Sequence, residues 1–569
     1  YLAPDVGEDV NSKGEVTASG DTIIFNNGKA LTLSATTDNF TTGGTNLTST
    51  TNPTAKLVAS SKTNKADATY YVGVYIKNNT YTYSTTAKTP EVLLTIKDEK
   101  GSNVTSVDGL TYTTSGGVSG FDVTDKTGLF NIKTDYPITT TSSTTGTTHT
   151  WTFTLTFVNL STDQSVNENA NMNLDVYLQK KAFPSTVADV CSGGETLASC
   201  VTTLSQKSIS PATNIYYHDA SLTNGAGDNS YRYAGGDYVL TDAGKATGAT
   251  MMIGDNNTVT TTLIDFYCGG TKQYVGRACS TSHYYLIKGD TTQYQTYNEV
   301  LNKAVEKGYL TKDNVKNFVC FGSTASLCPT DNLYRIIGVF GNNVKLIKYD
   351  YANSNLLGTD GTYTSSKQYP GANYKGTFNF VNNYKWNNQS SNYWNASVLN
   401  NTNLNINYIN NIGNDWASKI ATTTWKVGGN IYQKIINTTM PIVFSNEITS
   451  PSQNATYNAK IGLMYVSDYG FAASPDSWKN TMSSYTSVPL DNWMYMGFNE
   501  WTITRNDSYS TSSYRVNSDG YVDENYVSSG ETIFYYVTNE YAVRPSFYLT
   551  STVTYASGTG ISSDPIRIN

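Results

Sequence analysis

The six cysteines are the residues whose spacing points most directly to chemistry, and they fall in three local couples: Cys191 with Cys200, Cys268 with Cys279, and Cys320 with Cys328. Such couples can bind a metal, run redox catalysis or cross-link the chain. Structural zinc wants two short half-sites of cysteine or histidine, and the three histidines, His149, His218 and His283, lie far apart with no such spacing. Redox catalysis favours a close C-x-x-C, which none of the couples is. Three staples remain, each closing a loop of about ten residues and restricting the unfolded chain by roughly 2.5–3 kcal/mol. Staples of this kind imply an oxidising, non-cytosolic compartment.

Carboxylates are the next candidates. "NSDGYVDEN" (Asn517–Asn525) gathers Asp519, Asp523 and Glu524 around a glycine turn, the hard oxygen ligands that calcium takes. The stretch departs from the EF-hand pattern, and a solvated turn accounts for the same residues, so calcium is the one cofactor left open. No G-x-S-x-G, G-x-x-x-x-G-K-[ST] or G-x-G-x-x-G occurs, and the histidines suggest no Ser-His-Asp arrangement, so no catalytic residue is assigned and no enzyme is expected. Arg335 and Arg544 sit among apolar strand residues, where a charge must have a partner; a structural salt bridge to Asp331 or Asp564 is expected, ahead of anion binding.

Composition narrows the partners. Only 15% of the 569 residues are charged, 45 are Tyr, and 38 basic against 45 acidic side chains give a net −7 with no Lys/Arg cluster. Neither nucleic acid nor an anionic membrane suits that balance. No stretch approaches the length and apolarity of a bilayer-spanning helix. The chain opens at "YLAPDVG" without Met, so an export signal or anchoring segment is expected to have been removed or left out. The length suggests two to four domains.

The elements that must position these residues read as mainly β. Up to residue 183 the chain repeats alternating strands; in "WTFTLTF", Trp151, Phe153, Leu155 and Phe157 share one face and the threonines the other. This predicts a β-sandwich or jelly roll. Residues 184–330 are loop-rich and carry the cysteines, with an insertion over about 242–316 that holds the only convincing helix, Thr296–Gly308. Residues 331–569 form an aromatic-rich, surface-exposed α+β region, opening with a hairpin around Gly341-Asn342-Asn343.

Residues 214–569, with "NIYYHDASLTNGAGDNSYRYAG", "CFGSTASLCPTDNLYRIIGVFGNNVKLIK", "IGLMYVSDYGFAA" and "AVRPSFYLTSTV", resemble an uncharacterised module of secreted surface proteins in gut Firmicutes and mollicute-like bacteria. Their Trp-rich pattern ending in "RPSFYL" also resembles the C-type-lectin-like and sulfatase-modifying-factor fold. That resemblance implies that "LDNW" and "FNEW" bring Asp491, Asn492, Asn499 and Glu500 near Trp493 and Trp501, a set able to hold calcium and stack a sugar; buried core tryptophans account for the same residues. "WTFTLTFVNLSTDQSVNENANMNLDVYLQ" resembles the camelysin and TasA class of biofilm-fibre subunits. Members of that class polymerise by donating an N-terminal strand, which here implies Tyr1–Gly20 as donor and a second copy of the chain as partner.

The function these readings imply is an extracellular structural subunit of a bacterial surface filament. Residues 1–183 would polymerise and the remainder would be displayed. The alternative is a monomeric cell-surface adhesin for host or cell-surface glycans.

Overall fold

The computed structural model of the chain is mainly β, with several sheets and three disulfides. It describes residues 13–18, 21–36, 45–60, 65–250, 263–273, 279, 281–367, 373–378, 380–430, 437–487, 489–523, 525–528, 531–534, 537 and 539–569. The chain divides into two compact units, Tyr1–Ser185 with Gln206–Ala212, and Thr186–Ser205 with Thr213–Asn569.

The described strands of the first unit are β1 (Lys13–Ala18), β2 (Asp21–Asn26), β3 (Leu31–Ser34), β4 (Leu47–Thr51), β5 (Thr54–Val58), β6 (Ala66–Lys77), β7 (Val92–Lys97), β8 (Tyr112–Ser115), β9 (Val118–Asp122), β10 (Gly128–Thr140), β11 (Thr147–Thr150), β12 (Thr152–Phe157) and β13 (Asn171–Gln179). They form three antiparallel sheets in the orders β1-β2-β5-β11, β10-β6-β13-β3 and β4-β12-β7-β9-β8, sandwich-like around one core. The alternation seen in the sequence is what buries them. Trp151, Phe153, Leu155 and Phe157 all reach that core, while Thr152 and Thr154 stay half-exposed. Alternation fails along β6 and β13 because both their faces are covered. Tyr70, Val72, Val74 and Ile76 face the main core, while Tyr71 and Tyr177 pack with Phe183 in a smaller cluster. β1 lies at the edge of its sheet, paired with β2 from Lys13↔Asn26 to Ala18↔Asp21. Residues 1–12 and 19–20 of the expected donor segment lie outside the described residues.

The second unit is organised on a seven-stranded antiparallel sheet. Its order is Ile215–Tyr217, Tyr231–Tyr233, Leu333–Phe340, Asn343–Lys348, Ser546–Tyr548 and Ile461–Gly462, with Phe318–Cys320 also paired to Leu333–Phe340. Residues read from the sequence as two regions, 184–330 and 331–569, thus share one sheet and one core. The expected hairpin is there, with Gly341 at φ +62. The expected helix runs Tyr297–Glu306, started by Thr296 and Glu299 in a reciprocal capping box. It is not the only helix. Leu197–Gln206 buries Leu197, Val201 and Leu204, and Leu399–Tyr408 forms a wide π-type turn held by asparagine side chains, Asn403 Nδ2 to Leu357 O (2.8 Å) and Asn400 Nδ2 to Trp394 O (2.9 Å). Ser, Thr and Asn are weak helix formers, so tertiary packing decides both segments.

Candidate functional site

Each cysteine couple is closed as a disulfide: Cys191–Cys200, Cys268–Cys279 and Cys320–Cys328. Cys320 ends the strand that pairs with Leu333–Phe340, so its loop pins the approach to the central hairpin. Cys191, Glu195 and Cys200 lie close enough together to suggest a metal cluster. The two sulfurs are bonded to each other, however, and Glu195 accepts from Ser192 N and Oγ and from Gly193 N.

The residues expected around the tryptophans are consumed by packing. Trp493 and Trp501 are 3% and 1% exposed. Their Nε1 atoms donate to Tyr233 O (2.9 Å) and Tyr384 O (3.0 Å), so neither offers a ring face to a sugar. Asn492 donates to Tyr469 O and accepts from Met494 N; Asn499 accepts from Ser518 N. Asp491 accepts from Ser474 Oγ and Ser477 Oγ. Glu500 accepts Nε and Nη2 of Arg544 at 2.9 and 2.6 Å. In the expected calcium loop, Asp519 stands half-buried on a turn closed by Gly520 N to Asn517 O (2.9 Å). Asp523 ends the short strand Val522–Asp523, with its side chain outside the description, and Glu524 lies outside the described residues.

Both arginines do have partners, though not the expected ones. Arg335 forms a two-pronged pair with Asp237, reinforced by Val315 O (2.9 Å) and Asn317 Oδ1 (2.7 Å), with Phe318 stacked 3.9 Å from the guanidinium carbon. Arg544 pairs with Glu500. Asp331 serves Lys348 instead (2.7 Å), and Asp564 accepts from Thr559 N in a local turn. Asp237 is 98 positions from Arg335 and is delivered by the fold.

A second buried charge cluster was not read from the sequence. Asp468 Oδ2 accepts from Lys345 Nζ (2.7 Å) and from Tyr465 N (2.9 Å), and its Oδ1 lies 3.5 Å from Arg232 Nη1. Arg232 in turn pairs with Asp228 (3.0 Å). Lys345 Nζ is ringed by Tyr465, Trp425 and Tyr548 at 4.4–5.0 Å. Close by, Glu447 accepts from Thr504 Oγ1 (2.9 Å) and Ser467 N (3.2 Å), and burial pushes its carboxyl up to about 7.

The second unit also holds a cavity of about 270 Å³. It lies beside the Arg335–Asp237 pair and is bordered by Asp313, Asn298 and Asn302 of the helix Tyr297–Glu306, Tyr349 and Lys375. Lys375 is 6% exposed. Its backbone is fixed on both sides, N to Met496 O (3.0 Å) and O from Asn298 Nδ2 (2.9 Å). The segment Asn373–Lys375 runs against Gly497 so closely that a Cβ there would stand 2.2 Å from Asn373 O, and Gly497 has φ +105. No family model, curated protein or solved structure matches the chain. What the cavity can do therefore rests on its lining. No carboxylate or other hydrogen-bond acceptor among the described residues meets Lys375 Nζ, which lies 5.4 Å from the centroid of the Tyr495 ring. Burial lowers this amine to about 8, against the pull of Asp237. In sequence, Lys375 is an unremarkable lysine in a loop; its isolation exists only once Tyr495, Met496 and Asn298 have been folded around it.

Proposed function

We propose that this protein is a non-enzymatic extracellular structural subunit that assembles with copies of itself by exchanging β1, and displays its disulfide-stapled second unit. The observation that carries the reading is the place of β1, an edge strand joined to its sheet through a single neighbour, β2. Six backbone pairs hold it, and the same pairs form equally well when β1 comes from a neighbouring copy. The jelly-roll character of the first unit and the lectin-like character of the second belong to this proposal. The three disulfides support an oxidising compartment, and no described helix is long and apolar enough to cross a membrane. Electron microscopy of the non-reduced protein tests the reading. Filaments that vanish when Tyr1–Gly20 is deleted support it; monodisperse particles with and without the segment overturn it.

A second reading, a monomeric adhesin of the bacterial cell surface, is favoured by one specific observation. β1 is already paired within its own chain, so the first unit needs no donor. In that case deletion of Tyr1–Gly20 leaves the oligomeric state unchanged.

A further inference from the structure

Among the described residues of the second unit, Lys375 is the buried cation that packing leaves without an acceptor. Elsewhere in the second unit the buried cations are answered: Arg335 by Asp237, Arg544 by Glu500, Lys345 by Asp468, and Lys348 by Asp331. A desolvated ammonium without an acceptor is costly, and folds that keep one generally use it. The backbone of Lys375 is bonded on both sides, which places the residue at the cavity wall.

We propose that this cavity binds an acidic sugar, a uronic or sialic acid unit, with Lys375 holding the sugar carboxylate. The lining decides the class. A neutral ligand would leave the ammonium unanswered. A multiply charged anion such as phosphate would meet Asp237 and Asp313, which border the same space. A monoanion rich in hydroxyl donors satisfies both signs at once, giving its carboxylate to Lys375 and a hydroxyl to Asp313 Oδ1, the Oδ2 of that residue already accepting from Ser562 N and Oγ. Asn298 and Asn302 stand one helical turn apart, joined by Asn302 Nδ2 to Asn298 Oδ1 (3.0 Å), which leaves the Asn302 carbonyl oxygen to accept a further hydroxyl. The half-buried ring of Tyr349 provides an apolar wall for a sugar face.

The charged groups that act on Lys375 are Asp237, Arg335 and Arg544, with Lys312 and Asp313 at the cavity. With the amine brought to about 8 by burial, the site holds an anion at neutral pH and releases it above that value. The inference deepens the adhesin reading, but it rests on residues of the second unit alone. Filament assays and binding assays therefore fail separately.

The test is calorimetric titration of the full chain with glucuronic acid, N-acetylneuraminic acid, glucose, glutamate and inorganic phosphate at about pH 6.5 and about pH 9.5. One acidic sugar is expected to bind at least about tenfold tighter than glucose, and to weaken by about tenfold or more at the higher pH. Lys375→Met keeps the side-chain length, removes the charge and should abolish binding while its melting temperature holds or rises. No saturable binding by either acidic sugar overturns the proposal. So does equal binding of glucose, a preference for glutamate or phosphate, or full binding by Lys375→Met. If that variant does not fold, amine acetylation of the unaltered protein, read by peptide mass spectrometry, replaces it. Protection of Lys375 by the acidic sugar supports the site, and labelling indifferent to the sugar overturns it.

Discussion

The two units rely to different degrees on ladders and on side chains to satisfy buried polar groups. In the first, the backbone satisfies itself through long ladders, and side-chain polar pairs sit mostly on the outer faces. Thr50 meets Thr154 at 3.0 Å, Thr114 meets Ser119 at 2.7 Å, and Thr32 bonds Asn173 at 3.1 Å, all at exposed positions. Its exceptions are the buried Glu91, answered by Ser84, Gln164 and Asn167, the core bond from Trp151 Nε1 to Tyr70 Oη (2.8 Å), and Asn79 Nδ2, which donates to the carbonyls of Val123, Thr124 and Lys126 at 2.9–3.2 Å. In the second unit, loops and short strands leave carbonyls without ladder partners, and buried side chains take the ladder's place. A single amide, Asn392 Nδ2, serves the carbonyls of Asn506, Tyr509 and Ser512 at 2.6–3.0 Å. An irregular core must be bonded together by specific polar groups, so it is more exposed to their loss.

The largest expected effect follows from that difference. Arg544→Met removes the cation from Glu500, which is 1% exposed and whose carboxyl burial already pushes upward. Leaving that carboxylate unpaired should lower the stability of the second unit by about 3–5 kcal/mol. Denaturant unfolding should show the second unit's transition moving to lower denaturant while the first unit's stays in place. Adding Glu500→Gln should recover part of the loss. A loss under about 1 kcal/mol in the single variant would mean the pair is not what holds this core.

The same contrast explains what was legible in the sequence. The first unit was readable because a pleat writes itself at a spacing of two residues, and Trp151 to Phe157 show the pattern directly. The helix Tyr297–Glu306 and the hairpin at Gly341 were readable because caps and turns are local. The partners of Arg335 and Arg544 were not, because Asp237 and Glu500 come from 98 and 44 positions away. The tryptophan-acid clusters misled for a related reason. "LDNW" and "FNEW" have the composition of a sugar site, yet Trp493 and Trp501 turn their indole N–H groups to carbonyls inside the core. Composition alone does not say whether an aromatic residue beside an acid faces solvent or the interior.

A smaller effect, confined to the second unit, is carried by pH. Glu447 is 3% exposed, and burial raises its carboxyl from 4.5 to about 7. The folded state therefore holds a proton that the unfolded chain releases between those values. The associated stability is present in full below about pH 4.5 and is lost as pH rises through about 7, a difference of about 3 kcal/mol. Glu447→Gln, which keeps the shape without the titration, should flatten the decline when melting is followed from about pH 4.5 to about pH 7.5. An unchanged pH profile would show that Glu447 is not the group responsible.

The smallest effect belongs to the first unit and sharpens the comparison most. Thr154 lies on the outer side of β12 with Thr50 directly opposite on β4, and their hydroxyls are bonded at 3.0 Å. Thr154→Ala removes that bond where water can replace both partners, so the loss should fall between about 0.2 and 1 kcal/mol, including the lower β propensity of alanine. A double-mutant cycle with Thr50→Ala separates the pair from the propensity. A coupling below about 0.5 kcal/mol fits a unit whose ladders already satisfy its backbone. A coupling above about 2 kcal/mol would erase the distinction, because the first unit would then depend on individual polar pairs as the second does. Hydroxyl pairs exposed to solvent offer no mechanism for so large a coupling, which makes this small measurement the sharper test of the two.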